Sequence, residues 1–209
     1  MESIKIILAL VILIYASVLD WRRREIDDKS WMSLVALGLL FLLLNPGDLR
    51  AFLVSLAVAS ALVALTYIPG FLGGGDGKIL LGLAMLFPYS PVYGTPFFVP
   101  GVFFNAVLLS LPLPLLFFLR NLKNGGLKRD DFIKMFLGYR VRADEVKDYE
   151  AVMEGSVLMD VRKTKLGEKG SPGEMVWVTP AVPFVIPLTL GFVIAALYGD
   201  LFNYVAGFR

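Results

Sequence analysis

The sequence predicts an all-α polytopic membrane protein, with six transmembrane helices and a small cytoplasmic mixed appendage between helices 5 and 6. Composition is the first observation: 57% of the 209 residues are hydrophobic and 18% are charged, with a mean hydropathy of +0.71. Soluble domains average about 45 to 50% apolar and about 25% charged residues. The second observation is that uncharged runs approach or exceed the roughly 20 residues that a helix needs to cross a bilayer. The third is a single long polar segment, residues 120–178.

Five uncharged runs mark the predicted spans, and Lys5 is expected to snorkel outward from the first of them. The fourth run, residues 79–119, is about twice as long as one span. Prolines at 88, 91, 96 and 100 divide it, so we predict two helices joined by a proline-rich turn. The predicted helix limits are 3–20, 30–46, 50–69, 77–88, 97–119 and 180–200.

The distribution of basic residues predicts the orientation. Seventeen of the 20 Lys and Arg residues fall at 21–29, at Lys78 or between 120 and 178, which we therefore place on the cytoplasmic side. Both termini are then outside, and the arginines that follow the first apolar run are on the wrong end for a secretory signal peptide. The predicted domains are 1–119 with helices 1 to 5, 120–178 as a cytoplasmic soluble insertion, and 179–209 with helix 6 and the C-terminus.

The chain contains no histidine and no cysteine. This excludes a Ser-His-Asp triad, a Cys-His nucleophile and the common zinc sites, so we expect no metal and no cofactor. The net charge of +2 gives no reason to expect a nucleic-acid partner. Chemistry would have to come from carboxylates, Lys, Tyr, Ser or Thr.

Two aspartates are predicted at the cytoplasmic ends of helices. Asp20 closes the first span and Asp76 opens the fourth. A carboxylate at the hydrocarbon boundary is costly and is by default a functional hypothesis. Each also has a structural interpretation, with Asp20 as a boundary residue beside arginines and Asp76 as the N-cap of a helix that starts at Gly77. Four glycines around Asp76 exceed what a cap requires, and glycine lets another backbone, such as an extended peptide, come close.

If the two carboxylates approach each other, they resist double ionisation and share one proton. One can then take a proton from an attacking water while the other hydrogen-bonds to the scissile carbonyl, as in aspartic proteases.

Two short motifs carry a family resemblance. Gly73-Gly74-Gly75-Asp76 resembles the GxGD motif of the membrane aspartyl proteases that include presenilin and the prepilin and preflagellin peptidases. Asp20, Arg22 and Ile26 are similar to the D-x-R-x-x-x-I pattern of the type 4 prepilin and preflagellin branch. Because the chain lacks the CxxC zinc segment of many bacterial prepilin peptidases, it resembles the archaeal preflagellin (prearchaellin) peptidases most.

The resemblance implies a membrane aspartic endopeptidase that removes the short basic leader of archaellin precursors at the cytoplasmic face. It implies Asp20 and Asp76 as catalytic residues. It also implies roles toward the motif or the substrate backbone for Gly73, Gly75, Pro180 and Pro183. The expected partners are the lipid bilayer and precursor archaellin or pilin-like proteins with class III leader peptides.

Two alternatives stay open at this point. One is a type IV prepilin leader peptidase of broad specificity. The other is a small proton- or cation-coupled transporter, although the sequence shows no inverted repeat and both acids lie at one face instead of the midplane.

A basic leader would be attracted to acidic side chains near the site, although each of these could equally be an ordinary solvated charge. The candidates are Glu25, Asp27, Asp28, Asp144, Glu145, Asp148, Glu150 and Glu154.

Overall fold

The computed structural model describes residues 1–46, 49–67, 73–125, 132–153, 167 and 173–201. The described chain is mostly helical, with a small sheet. The helices are α1 (Glu2–Arg23), α2 (Asp28–Leu44), α3 (Leu49–Tyr67), α4 (Gly74–Leu86), α5 (Phe98–Ser110), α6 (Pro112–Gly125), α7 (Lys134–Leu137) and α8 (Val185–Leu197). The strands are β1 (Tyr139–Arg142), β2 (Glu150–Val152) and β3 (Met175–Pro180). The chain forms two compact units, one of residues 1–109 with 183–209 and one of residues 110–182.

In the first unit, α1 presents one buried face along its length. Ala9, Leu13, Ala16 and Asp20 recur at helical spacing and are all buried. The helix continues one turn past Asp20 and ends where Arg24 adopts the left-handed conformation, with its N–H donating to the Asp20 carbonyl. The side chain of Asp20 is therefore aimed into the unit and not along the helix end.

Glycines let the helices of this unit approach closely. A Cβ at Gly38 of α2 would lie 2.7 Å from the Met85 carbonyl carbon of α4, and a Cβ at Gly191 of α8 would lie 2.7 Å from the Val102 carbonyl oxygen of α5. Small residues at helix contacts allow the backbones to touch, a pattern typical of packing inside membranes. The fully buried Asn105 adds polar contacts, since its Nδ2 donates to the carbonyls of Gly191 and Gly199.

The second unit contains a three-stranded antiparallel sheet in the order β1-β3-β2. Val178 of β3 lies opposite Tyr139 of β1 and packs with it in a small core that also includes Val146. Asn121 of α6 donates to the backbone carbonyls of Met135 and Gly138, at 2.9 and 2.7 Å.

Within the described ranges, three stretches are long and apolar enough to cross a membrane: Glu2–Arg23, Leu49–Tyr67 and Phe98–Lys123. Helix α8 is apolar but shorter, at 13 residues. Large apolar side chains on these helices face outward, with Val11 62% and Leu65 74% exposed. The prediction of a mostly helical protein is thus confirmed, with three candidate membrane helices by length and composition.

Several predicted helix limits were wrong. The span predicted at 97–119 matches the apolar stretch Phe98–Lys123, but this stretch consists of two helices, α5 and α6. They are separated at Leu111, because Pro112 has no N–H to continue the ladder and suits the first position of a new helix. The sixth helix was predicted to begin at 180, yet Pro180 ends strand β3 and α8 begins at Val185. Lys5 does not snorkel outward: it is 5% exposed and pairs with Glu2 at 2.9 Å.

Candidate active site

Asp20 is held by the beginning of α8. Its carboxylate is buried, with the residue 7% exposed, and its Oδ2 accepts a hydrogen bond of 3.1 Å from the Val185 N–H. The first N–H groups of a helix have no partner within the helix, and a carboxylate is favoured there by the helix dipole. Asp20 thus satisfies one of these donors, and α8 fixes the direction in which the carboxylate points.

Two hydroxyls lie beside this contact. Thr189 Oγ1 on α8 donates to the Val185 carbonyl at 2.8 Å, and Ser17 Oγ on α1 lies 2.8 Å from Thr189 Oγ1 and 3.3 Å from the same carbonyl oxygen. Sequence reasoning missed both residues. Ser17 had a usable signal, because it precedes Asp20 by three positions on the same helix, whereas nothing in the sequence linked Thr189 to α1.

Asp76 lies in the first turn of α4 and not at its cap. The helix begins at Gly74 with Gly73 as N-cap, so Asp76 occupies the third helical position. Its carboxylate turns back toward the N-cap residue Gly73, as the third-position side chain of a capping box does. The interpretation of Asp76 as N-cap of a helix starting at Gly77 was therefore wrong, and the reason is that glycines supply the cap and first turn.

The glycines of this loop are needed for contacts within the chain itself. A Cβ at Gly73 would lie 2.8 Å from Asp76 Oδ2, and a Cβ at Gly75 would lie 2.7 Å from Ile26 Cδ1. Ile26 follows α1 and belongs to the same motif as Asp20. The close approach at Gly75 therefore joins the two segments that carry the two aspartates.

Asp20 and Asp76, here called the aspartate pair, are carried by these two contacting segments: Asp76 directly follows Gly75, and Ile26 lies six residues after Asp20. Arg24, at the end of α1, also acts on Asp20. Two carboxylates in this relation can share a proton, and such a pair can both activate a water and polarise a carbonyl. Within the described ranges, no group of three or more acidic side chains is placed to hold a metal ion.

Lys78, two residues after Asp76, forms an ion pair with Asp28 at the start of α2, with Nζ 2.7 Å from Oδ1. Trp31 Nε1 donates to the same oxygen at 2.8 Å, and Lys78 Nζ lies 5.5 Å from the centre of the Trp31 ring. The charge of Lys78 is thus compensated by α2, which ties the start of α4 to the start of α2.

The two prolines predicted near the aspartates lie in different units. Pro183 precedes α8 by two residues, in the segment that leads to the Val185 N–H, whereas Pro180 lies in β3 opposite Glu150 of β2. The role predicted for Pro180 toward the substrate backbone stays a prediction.

Several acidic residues expected to attract a basic leader already have partners. Asp28 pairs with Lys78, Asp144 pairs with Arg142 at 3.2 Å, and Glu150 is 1% exposed and accepts a hydrogen bond from Tyr139. Asp27 accepts from the Lys29 N–H and caps α2. Glu154 lies outside the described residues. The hypothesis stays open for the exposed Glu25, Glu145 and Asp148.

Comparison with known proteins finds similarity to leader peptidases, both in family profiles and in individual relatives. The sequence profile of the type IV leader peptidase family matches residues 7–115, and that of the archaeal peptidase A24 C-terminus, type II, matches residues 159–201. A preflagellin peptidase of Methanococcus maripaludis is 32% identical over 212 residues, with 90% of this chain and 92% of the relative covered. The preflagellin peptidase of Methanocaldococcus jannaschii is 31% identical, with 94% of this chain and 94% of the relative covered. That of Methanococcus voltae is 30% identical, with 90% of this chain and 92% of the relative covered.

Proposed function

Because the chain belongs to the type IV leader peptidase family, we propose that it cleaves the short basic leader from preflagellin (archaellin) precursors, before export and filament assembly. It is a peptidase by family, and its similar relatives that are named preflagellin peptidase align with it over about nine tenths of both chains. The substrates of this reaction are leader-bearing precursors whose cleavage site meets the enzyme at the membrane surface.

The observation that carries this proposal is the aspartate pair. We assign catalysis to Asp20 and Asp76, because the segments that carry them meet at Gly75 and Ile26, and the Val185 N–H holds one oxygen of Asp20. One carboxylate takes a proton from the attacking water, and the protonated partner hydrogen-bonds to the scissile carbonyl. As the amine leaves, the two exchange roles, so that each cycle ends with one shared proton.

The proposal includes the membrane arrangement. Six spans cross the bilayer, formed by α1, α2, α3, α4, the stretch of α5 and α6, and α8, with both termini outside. Asp20 and Asp76 then lie at the cytoplasmic ends of the first and fourth spans. The clustering of basic residues at 21–29 and 120–178 supports this orientation, because such residues accumulate on the cytoplasmic side.

The test is cleavage of a preflagellin precursor by purified protein in liposomes. Wild-type protein should give a slightly shorter product, whereas Asp20→Asn and Asp76→Asn should give none while keeping the wild-type melting temperature. Asp27→Asn is the matched control, because asparagine caps a helix as well as aspartate does. It should cleave at close to the wild-type rate. Full cleavage by Asp20→Asn or Asp76→Asn would remove that residue from the active site.

A broader prepilin peptidase is the second candidate, favoured by the description of the matching family as type IV leader peptidases. The same assay with a type IV prepilin separates the two. Comparable kcat/KM for prepilin and preflagellin would replace the narrower function with the broader one.

A further inference from the structure

We infer that Ser17 and Thr189 are positioning residues for Asp20: their hydroxyls hold Val185 in the place from which its N–H donates to the carboxylate. This inference rests on the proposed function, since positioning matters only if Asp20 is catalytic. Neither hydroxyl is expected to touch the scissile bond.

The hydrogen bonds form a continuous bridge between α1 and α8. Thr189 Oγ1 donates to the Val185 carbonyl at 2.8 Å, and Ser17 Oγ reaches the same oxygen at 3.3 Å. The two hydroxyl oxygens are 2.8 Å apart, and Thr189 also contacts the Leu13 carbonyl at 3.4 Å. On its other side, Val185 donates its N–H to Asp20 Oδ2. The Val185 carbonyl is therefore held by hydroxyls of both α1 and α8, and the Val185 N–H is held by the Asp20 carboxylate of α1.

A hydroxyl bonded to a carbonyl four residues earlier is ordinary in helices and by itself indicates nothing. Thr66 of α3 makes such a bond to the Leu62 carbonyl, also at 2.8 Å. Thr189 differs from Thr66 in two ways. Its hydroxyl also contacts Ser17 on the neighbouring helix α1, and the carbonyl that it bonds belongs to Val185, whose N–H donates to Asp20. The bridge therefore sets the position of the start of α8 against the carboxylate.

Among the residues that the structure describes, few charged groups act on Asp20, so a change in this bridge has a clear readout. Asp76 interacts with it from α4 and Arg24 from the end of α1. At the start of α2, Asp28 is paired with Lys78. Residues 185–197 of α8 contain no titratable side chain, so α8 acts on Asp20 through the Val185 N–H.

The alternative is direct contact with the substrate. Ser17 and Thr189 also line an open groove of about 510 Å³ between α1 and α8, together with Ile14, Val18 and Trp21. Direct contact would change KM, whereas positioning of Asp20 changes kcat and its dependence on pH.

The experiment compares four variants in the precursor-cleavage assay over a range of pH. Thr189→Val and Ser17→Ala remove one hydroxyl each, Thr189→Ser keeps it, and Thr66→Val removes the matched hydroxyl on α3. We expect kcat to fall about five- to tenfold in Thr189→Val and Ser17→Ala, with KM unchanged. The acidic limb of the pH profile should move to higher pH, since a weaker hydrogen bond to the carboxylate favours its protonated form. Thr189→Ser and Thr66→Val should behave as wild type.

A wild-type kcat and pH profile in Thr189→Val would overturn the inference, as would an effect confined to KM or an equal shift in Thr66→Val. If Thr189→Val fails to fold, Ser17→Ala decides in the same way. Asp20→Asn is assayed alongside. An active Asp20→Asn means that the proposed site is wrong, whereas an inactive Asp20→Asn with unaffected hydroxyl variants removes only the positioning role.

Discussion

Gly75 and Ile26 form the contact on which the position of Asp76 depends. An ideal Cβ at Gly75 would meet three atoms of Ile26, at 2.7, 3.1 and 3.2 Å. Rotation of the Ile26 side chain can relieve the contact with Cδ1, but Cβ is fixed to the backbone, so at 3.1 Å the two segments must separate slightly. Among the described residues, the atom nearest to a Cβ at Gly74 is Tyr67 Cε2 at 3.8 Å, an ordinary contact. An added methyl group therefore finds an ordinary contact at Gly74 and a clash at Gly75.

We predict that Gly75→Ala lowers precursor cleavage at least tenfold, because the added methyl group displaces the first turn of α4 and with it Asp76. Misplacement of a catalytic group by about 1 Å can cost about a hundredfold in rate. Gly74→Ala is the control and should keep most of the activity. The measurement is kcat/KM for both variants.

Ile26→Ala in the Gly75→Ala background should restore part of the activity, because it removes the two atoms of Ile26 beyond Cβ that cause the clash. Equal losses in Gly74→Ala and Gly75→Ala, or no recovery in the double variant, would show that the glycines serve the substrate and not the contact with Ile26.

At the scale of elements, the sheet of the second unit is built around a buried polar pair. The Tyr139 hydroxyl of β1 donates to Glu150 of β2, and both residues flank the central strand β3. The Lys147 N–H donates to the other Glu150 oxygen at 3.0 Å, so the carboxylate is held on both sides. A buried carboxylate is tolerated only with such partners.

Burial, together with the hydrogen bond to Glu150, raises the pKa of Tyr139 from 10.0 to about 12. Because the pKa in the folded chain is above that of the unfolded chain, the stabilisation is complete below pH 10 and is lost as the pH rises toward 12. We therefore predict that the free energy of unfolding of this unit falls as the pH rises above 10. Tyr139→Phe should lack this pH dependence and should lower the free energy of unfolding by about 1 to 3 kcal/mol at pH 8.

The measurement is urea denaturation followed by Trp177 fluorescence. The chain has three tryptophans, so a Trp21→Phe/Trp31→Phe background leaves Trp177 of β3 as the sole reporter. Tyr198→Phe is the control, since Tyr198 is 75% exposed and belongs to the other unit, and it should keep the wild-type pH slope. Parallel pH slopes for wild type and Tyr139→Phe would contradict the prediction.

The elements that sequence reasoning located well are those dictated by local pattern. The uncharged runs gave α1, α2 and α3 to within three residues. The motif pattern singled out Asp20 and Asp76, whose catalytic role stays a proposal. The start of α8 was wrong by five residues, because residues 175–180 pair with β1 and β2, and strand pairing between distant segments leaves no local signal. For the same reason the Val185 N–H and Thr189 were not predicted as neighbours of Asp20.

At the scale of the whole molecule, the orientation in the membrane decides whether the aspartate pair meets a precursor before or after export. The proposed outer side has three basic residues, Lys5, Arg50 and Arg209, and the proposed cytoplasmic side has 17. A bias of this size in short segments sets orientation strongly. The proposed topology places Glu25, after α1, in the cytoplasm and Thr95, before α5, outside.

The absence of cysteine makes this topology directly measurable, because a single introduced cysteine is the only thiol in the chain. Glu25 and Thr95 are both exposed, so neither substitution disturbs packing. In intact cells, a membrane-impermeant maleimide should label Thr95→Cys and leave Glu25→Cys unmodified until the membrane is permeabilised. Both variants must retain measurable precursor cleavage, which serves as the control for correct insertion; a higher KM in Glu25→Cys is compatible with this control, because Glu25 is a candidate for attracting the basic leader. Labelling of Glu25→Cys in intact cells would place Asp20 on the outer face, and leader removal would then have to follow translocation of the precursor.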